Sequence, residues 1–339
     1  MLKELIDQVT AGHDLSIEQM ESAINSMLAG VATEEMMGRL LLALRQKGES
    51  VSELVGAAKA MRSAMTSIKT VRSNLLDTCG TGGDGGKTFN ISTAAAIVAA
   101  AAGASVAKHG NRKITSATGS ADVLSELGIR VDAPREIVEK CLDQLGICFC
   151  FAPLLHPAMR HVAQVRRTLG VPTLFNYLGP LCNPAGADFQ VLGVGKDGLQ
   201  EKLSEVVAQL PIRAALVVRG ADGMDEISLS AETKVNFVRD GKIATMTWTP
   251  KVLGLSMIDN KDLHAESPQD SAKVIRSILD GHRGAPRDVV LANAAAGLWL
   301  VGLETDLPQA VARSAEAIDS GKAKKILSDL VEMSQSPSS

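Results

Sequence analysis

Beyond Arg72 the sequence settles into one rhythm, with short apolar runs of strand length alternating with longer stretches of helical spacing. That alternation marks parallel strands joined by crossover helices, because a parallel connection needs a helix to bring the chain back over the sheet. The expected strands are Leu75–Asp77, Ser105–Ala107, Ile147–Phe151, Gln190–Val194 and Ala214–Val218. Between them the expected helices include Ser120–Leu127, ended by Gly128, then Arg135–Leu145 after Pro134, and Gly198–Gln209. Thr233–Trp248 departs from the pattern and, with Asp240-Gly241 at its centre, reads as an antiparallel hairpin. Past Ser267-Pro268 the chain is again mostly helical, and Ser334–Ser339 is expected to fray.

The first seventy residues contain only helical patterns. Ser16 with Gln19 forms a capping box ahead of Ile17, Met20, Ala23 and Ile24, and Ser50 with Glu53 forms another ahead of Leu54, Ala58 and Met61. Between them Thr33, Glu34 and Glu35 open a third helix with an apolar face of Met37, Leu40, Leu41 and Leu44. At about 150 residues per domain, 339 residues suggest two packed units. A helical domain over 1–70 and an α/β domain after it are therefore expected.

Composition narrows the function. Lys and Arg number 35 against 38 Asp and Glu, a net charge of -3, which cannot attract polyanions in general as a nucleic-acid binder does. Aromatic residues are only 3% of the chain, too few to stack unpaired bases. The five cysteines are odd in number and form no C-x-x-C pair, so neither a disulfide framework nor a zinc knuckle fits and a reducing cytoplasm is expected. The most apolar window, Ala94 to Gly103, is far short of the roughly 20 residues that span a bilayer, and the first residues carry no secretory pattern.

The densest chemical signal is Asp77 to Thr93, DTCGTGGDGGKTFNIST. Gly80, Gly82, Gly83, Gly85 and Gly86 follow a strand and precede a helix, so bare backbone N–H groups can close on an anion. Gly80, Gly82 and Gly85 satisfy G-x-G-x-x-G, but a dinucleotide fold wants an acid about 20 residues on, where this chain has Gly103, Ala104 and Ser105. Gly86-Lys87-Thr88 resembles the end of a Walker loop whose first glycine would fall on Thr81. Neither named motif holds, and a phosphate cradle of another type remains. The following helix opens near Ser92 and Thr93, and its alanine run Ala94–Ala102 lets it lie close to the sheet.

Three further segments carry chemistry. Lys108-His109-Gly110-Asn111-Arg112 follows the second strand and offers two cations and an amide beside the cradle, and Ser120 can cap the next helix. Asp225 and Glu226, after the strand Ala214–Val218, are hard oxygen ligands suited to Mg²⁺ shared with phosphate, although an isolated Asp-Glu pair is often a surface feature. His156-Pro157 and Arg166 form the third, in which Arg166 could clamp a carboxylate while Arg160 and Arg167 could equally be solvated.

Taken in order, GTGGD (Gly80–Asp84), NIST (Asn90–Thr93), KHGNR (Lys108–Arg112), GSADVL (Gly119–Leu124), HPAM (His156–Met159), FNYLGP (Phe175–Pro180) and DGMDE (Asp222–Glu226) resemble the anthranilate phosphoribosyltransferases over essentially the whole chain. The resemblance implies a small all-helical domain packed on a larger α/β domain with a mostly parallel sheet, of the nucleoside phosphorylase/phosphoribosyltransferase type. It implies that a helical insertion at about 165–185 joins residues 1–70, while 71–164 and 186–339 form the catalytic domain, with a homodimer through the helical parts. The implied reaction moves the 5-phosphoribosyl group of phosphoribosyl pyrophosphate (PRPP) to the amine of anthranilate. Carried over by position, Gly80, Gly83, Asp84, Thr88, Asn90, Ile91, Ser92 and Thr93 would hold PRPP. Lys108, His109, Gly110, Asn111, Arg112, Ser116 and Ser120 would hold its remaining oxygens. Ser92, Asp225 and Glu226 would bind Mg²⁺, two ions per subunit, and Gly80, Asn111 and Arg166 would face anthranilate with His156 nearby. Lys108, Asn111 and Arg166 are the implied catalytic residues. A pyrimidine nucleoside phosphorylase and a non-catalytic nucleic-acid-binding homologue are the alternatives. Against the second stand the slightly acidic charge and the retained Asp225 and Glu226.

Overall fold

The computed structural model describes residues 2–82, 88–113 and 118–337. Helices α1 (Leu2–Thr10), α2 (Ile17–Leu28), α3 (Glu34–Lys47) and α4 (Val51–Ala64) come first. Both capping boxes form as expected, Ser16 with Gln19 on α2 and Ser50 with Glu53 on α4, and Thr33 caps α3. Glu53 is wholly buried and does more than cap. Its carboxylate accepts the Leu15 N–H at 3.0 Å, the Ser50 N–H at 2.7 Å and the Lys47 ammonium at 3.0 Å, tying three helices together.

Strands β1 (Leu75–Gly80), β2 (Ser105–Gly110), β3 (Ile147–Phe151), β4 (Phe189–Gly193), β5 (Ala214–Gly220), β6 (Thr233–Arg239) and β7 (Lys242–Trp248) form one sheet in the order β3-β2-β1-β4-β5-β6-β7. The first five are parallel to one another, β6 runs antiparallel to β5, and β6 and β7 form the antiparallel hairpin. Strand order reverses at β1, with β2 on one side and β4 on the other, so their C-terminal ends open a crevice of the kind in which open α/β sheets bind ligands.

The remaining helices are α5 (Ile91–Ala101), α6 (Ser120–Glu126), α7 (Arg135–Leu145), α8 (Ala152–Leu155), α9 (Arg160–Leu169), α10 (Phe175–Leu178), α11 (Leu199–Val207), α12 (Pro268–Leu279), α13 (Ala285–Leu300), α14 (Leu307–Asp319) and α15 (Lys322–Ser334). Side chains alternate across a strand, and β5 shows both faces buried: Ala214, Leu216 and Val218 join a core with α5 and α13, while Ala215 and Val217 join a core with α1–α4. Val162 and Val165 of α9 and Phe175 and Leu178 of α10 belong to that second core. Alanines in α5 permit close packing on α13, where a Cβ at Gly297 would lie 2.6 Å from Leu76.

Several boundaries differ from the sequence reading. β1, β2 and β5 run on through Gly80, Gly110 and Gly220, because Thr78, Lys108 and His109 stay in the ladder although they are polar. Helix α5 starts at Ile91 with Asn90 as its N-cap, and α6 starts at Ser120 with Gly119 as its N-cap, so Ser92, Thr93 and Ser120 lie inside the first turns and are not the caps.

Candidate functional site

The crevice holds a polar cleft of about 220 Å³ where β1, β2, α5, α6 and the loop after β5 converge. At the end of β1, Thr81 donates its N–H to the Gly193 carbonyl at 2.9 Å and Gly82 donates its N–H to Asp225 Oδ2 at 3.0 Å. At the start of α5, Ser92 N–H donates to Glu226 Oε1 at 3.1 Å. Both carboxylates thus reach the glycine loop and the positive end of a helix. Close approach is possible only with glycine: a Cβ at Gly80 would sit 2.3 Å from Asp225 Oδ2, and one at Gly193 would sit 1.6 Å from the Asp225 carbonyl oxygen.

Lys108 is buried at the cleft floor, where its ammonium donates to the Thr78 carbonyl and, at 3.2 Å, to Ser92 Oγ. Burial lowers its pKa, an effect opposed by Asp77, Cys79, Glu226 and Asp225. Asp77, fully buried beneath it, accepts the His109 N–H at 3.0 Å; burial raises the pKa of that carboxyl, opposed by Asn183 and Lys108. With Lys108 donating to its oxygen, Ser92 keeps its own proton and a lone pair for a ligand.

Of the residues expected at the site, Gly80, Thr88, Asn90, Ile91, Ser92, Lys108, His109, Gly110, Asn111, Arg112, Ser120, Asp225 and Glu226 line this cleft. Arg112 pairs with Asp122 at 3.2 Å and lies over Phe151. Thr93 is elsewhere, its buried hydroxyl without a hydrogen-bond partner among the described residues. Gly83, Asp84 and Ser116 lie outside the described residues.

A second, mostly apolar cavity of about 490 Å³ lies against the first, between α4, α9 and the Phe175–Pro180 segment. Arg166 and His156 line it. The Arg166 guanidinium sits 5.7 Å from the Phe175 ring centroid and makes no hydrogen bond or ion pair with the described residues. Burial lowers its pKa, yet a guanidinium stays charged, so the cavity presents a cation with no counter-charge among the described residues. Arg160, though more exposed, lines the same cavity, whereas Arg167 is exposed and does not. Cys79, Gly80, Thr81, His109, Gly110 and Asn111 line both cavities and form their common wall.

The donor set of Asp225, Glu226 and Ser92 suits a small hard cation. Mg²⁺ takes few protein carboxylates and completes its shell with phosphate oxygens and water.

Sequence reasoning gave no role to Asp77 or Gly193. The signal for Gly193 was a glycine ending the strand Phe189–Gly193 beside the first glycine of the cradle. All five cysteines are free, and Cys148 and Cys150 share one buried face of β3 with sulfurs 3.8 Å apart. No helix among the described residues is long and apolar enough to cross a membrane.

Residues 72–324 match the "Glycosyl transferase family, a/b domain" and residues 3–65 the "Glycosyl transferase family, helical bundle domain". The anthranilate phosphoribosyltransferase of Rhodopirellula baltica is 52% identical over 329 residues, 97% of this chain and 96% of its own length. The crystal structure of anthranilate phosphoribosyltransferase from Thermus thermophilus superposes with a TM-score of 0.91 at 39% identity, covering 98% of this chain and 99% of that one. The enzyme from Saccharomyces cerevisiae in complex with PRPP and Mg has a TM-score of 0.89 at 27% identity, covering 99% of this chain and 98% of that one.

Proposed function

The chain belongs to the anthranilate phosphoribosyltransferase family, and from that premise we propose how its two adjoining cavities perform the reaction. The enzyme transfers the 5-phosphoribosyl group of PRPP to the amine of anthranilate, giving N-(5-phosphoribosyl)anthranilate and pyrophosphate in tryptophan biosynthesis. The observation that carries the site assignment is the common wall: a sugar diphosphate in the polar cleft and an aromatic acid in the apolar cavity meet at Gly80 and Asn111.

In this reading the backbone of Gly80 and of the loop bearing Gly83 and Asp84, with Thr88, Asn90, Ile91 and Ser92, grips the diphosphate at the α5 N-terminus. Lys108 and the His109–Arg112 segment, with Ser116 and Ser120, take its remaining oxygens. Thr93, with its hydroxyl buried, supports the helix start. Asp225, Glu226 and Ser92 hold Mg²⁺, which when bound offsets negative charge on the departing pyrophosphate. Donors from the Asp225–Glu226 loop and from the first turn of α5 support two ions per subunit.

Breaking the anomeric C–O bond builds positive charge on the ribose and negative charge on the leaving group, so Lys108 and the amide donors contribute where that negative charge grows. Arg166 holds the anthranilate carboxylate, and the wall at Gly80 and Asn111 sets the amine against the anomeric carbon. An aromatic amine is neutral at pH 7 and needs placement more than a strong base, a contribution of up to roughly 7–11 kcal/mol in favourable cases. The buried His109 and His156 shape the cavity as neutral imidazoles.

We also divide the chain as a helical domain of 1–70 joined by about 165–185, and a catalytic domain of 71–164 and 186–339. Packing of α9 against α2 and α3 and of α10 against α4 supports that division. Exposed Val31 and Leu42 on the helical part support a homodimer through it, and five free thiols support a cytoplasmic setting. Net charge argues against nucleic acid as a partner. Anthranilate fluorescence followed with and without PRPP and Mg²⁺ tests the whole reading: loss of signal should require both. Consumption of a pyrimidine nucleoside with phosphate, and none of anthranilate, would overturn it.

A further inference from the structure

Asn is a favoured N-cap because its side-chain oxygen ordinarily accepts an N–H from the first turn of its own helix. Asn90 occupies the N-cap of α5 and makes no such bond. The amides it would have capped are already used: Ser92 N–H goes to Glu226 and Thr93 N–H to the Asn90 carbonyl at 3.1 Å. Its side-chain oxygen instead accepts the Thr118 hydroxyl at 2.7 Å and the Ser271 hydroxyl at 2.9 Å.

Ser271 stands on α12, 181 residues further along the chain, and is completely buried. Its single oxygen makes two bonds to the same partner, donating its proton to Asn90 Oδ1 and accepting the Asn90 backbone N–H at 2.9 Å. The chain leading to Ser271 also grips the same stretch: Leu263 accepts the Phe89 N–H at 2.9 Å and His264 bridges Thr88. Residues Thr88 to Asn90 are thereby held from behind by a segment that does not itself line the polar cleft.

We propose that Ser271 is a positioning residue for PRPP, which with Thr118 locks the Asn90 side-chain amide so that its NH2 group faces the cleft. Two hydroxyl protons converging on one oxygen fix the amide's orientation, and what remains to be offered is the NH2 donor. That polarity suits a phosphate oxygen. The flipped amide would present a carbonyl oxygen to an anion and repel it. Ser271 therefore acts on the substrate only through Asn90. The inference rests on the assignment of the polar cleft to PRPP and adds a residue that none of the site motifs contains.

The test is a double-mutant cycle on the full chain, with steady-state kinetics at saturating Mg²⁺ and a thermal melt of each variant. Ser271→Ala should raise the KM for PRPP about tenfold, the loss expected when a hydrogen bond that orients a group for a charged ligand is removed. The KM for anthranilate should stay within about twofold of wild type, and in an Asn90→Ala background Ser271→Ala should add no more than about twofold, since the residue it positions is gone. An unchanged KM for PRPP, an equal rise in both KM values, or the same factor in both backgrounds would overturn the proposal. If Ser271→Ala melts below the assay temperature, Thr118→Val takes its place in the same cycle with the same expected split. Wild-type enzyme that ignores PRPP would overturn the underlying reading, whereas wild-type turnover with an indifferent Ser271→Ala overturns this inference alone.

Discussion

The Nε2 atoms of His109 and His156 face each other at 3.3 Å within the wall of the apolar cavity. The Gly179 carbonyl, 2.9 Å from His109 Nδ1, can only accept, which places a proton on Nδ1 and leaves His109 Nε2 as the acceptor for His156. Burial, reinforced by His156, lowers His109 to about 3, and burial lowers His156 to about 4, both from an ordinary 6.5.

That pair makes stability depend on pH in a definite direction. Below 6.5 the unfolded imidazoles bind protons while the folded pair stays neutral until about 4 and about 3. The unfolded state therefore holds more protons in that window, and stability, fully present above it, falls as pH drops through it. The melting temperature should decline from pH 6.5 towards 4, and His156→Gln should flatten the decline. A variant with the wild-type slope would refute the link.

Arg166→Ala should raise the anthranilate KM by roughly 10- to 100-fold, as expected for a lost hydrogen-bonded charge pair, with a much smaller change for PRPP. Equal weakening of both substrates in initial-rate kinetics would contradict the assignment.

Gly193→Ala introduces a Cβ 1.6 Å from the Asp225 carbonyl oxygen, and neither atom can swing away on a flexible side chain, so the carboxylate loop must shift. A displacement of about 1 Å can cost roughly 100-fold in rate, and this one should appear as lower kcat with a raised Mg²⁺ requirement. Normal Mg²⁺ titration would show that the loop's position is not critical.

Glu53→Ala removes a buried acceptor shared by Leu15, Ser50 and Lys47, far from the cleft. Denaturant unfolding should show a loss of about 2–5 kcal/mol, because the Leu15 and Ser50 N–H groups lose their acceptor at about 1–3 kcal/mol each while Lys47 keeps Asp14. Activity of the folded fraction should be retained, and a loss under about 1 kcal/mol would mean the network relaxes around the gap.

What was legible in sequence was local. The Ser16–Gln19 and Ser50–Glu53 boxes announce their helices, because each rests on neighbours within a few residues, while of the five glycines read as an anion cradle Gly83, Gly85 and Gly86 lie outside the described residues. The ends of β1 and β2 were not legible, since Thr78, Lys108 and His109 look exposed until Asp77 and Ser92 are seen to partner them. Gly193 and Ser271 were hidden for the same reason at longer range: each matters through a residue on a distant loop, Asp225 and Asn90. Arg166 stood between the two cases. Spacing alone left Arg166 level with Arg160 and Arg167; burial of Val162 and Val165 beside it and its place in the cavity wall separate it from Arg167.

The central claim is that the diphosphate and the aromatic acid occupy different cavities and touch only across the wall at Gly80 and Asn111. A crystal structure with PRPP, Mg²⁺ and an unreactive anthranilate analogue tests it most directly. The diphosphate should lie between the α5 N-terminus and the Asp225–Glu226 loop, the analogue's carboxylate at Arg166, and the anomeric carbon at the shared wall. Both ligands in one cavity, or the analogue bound away from Arg166, would contradict it.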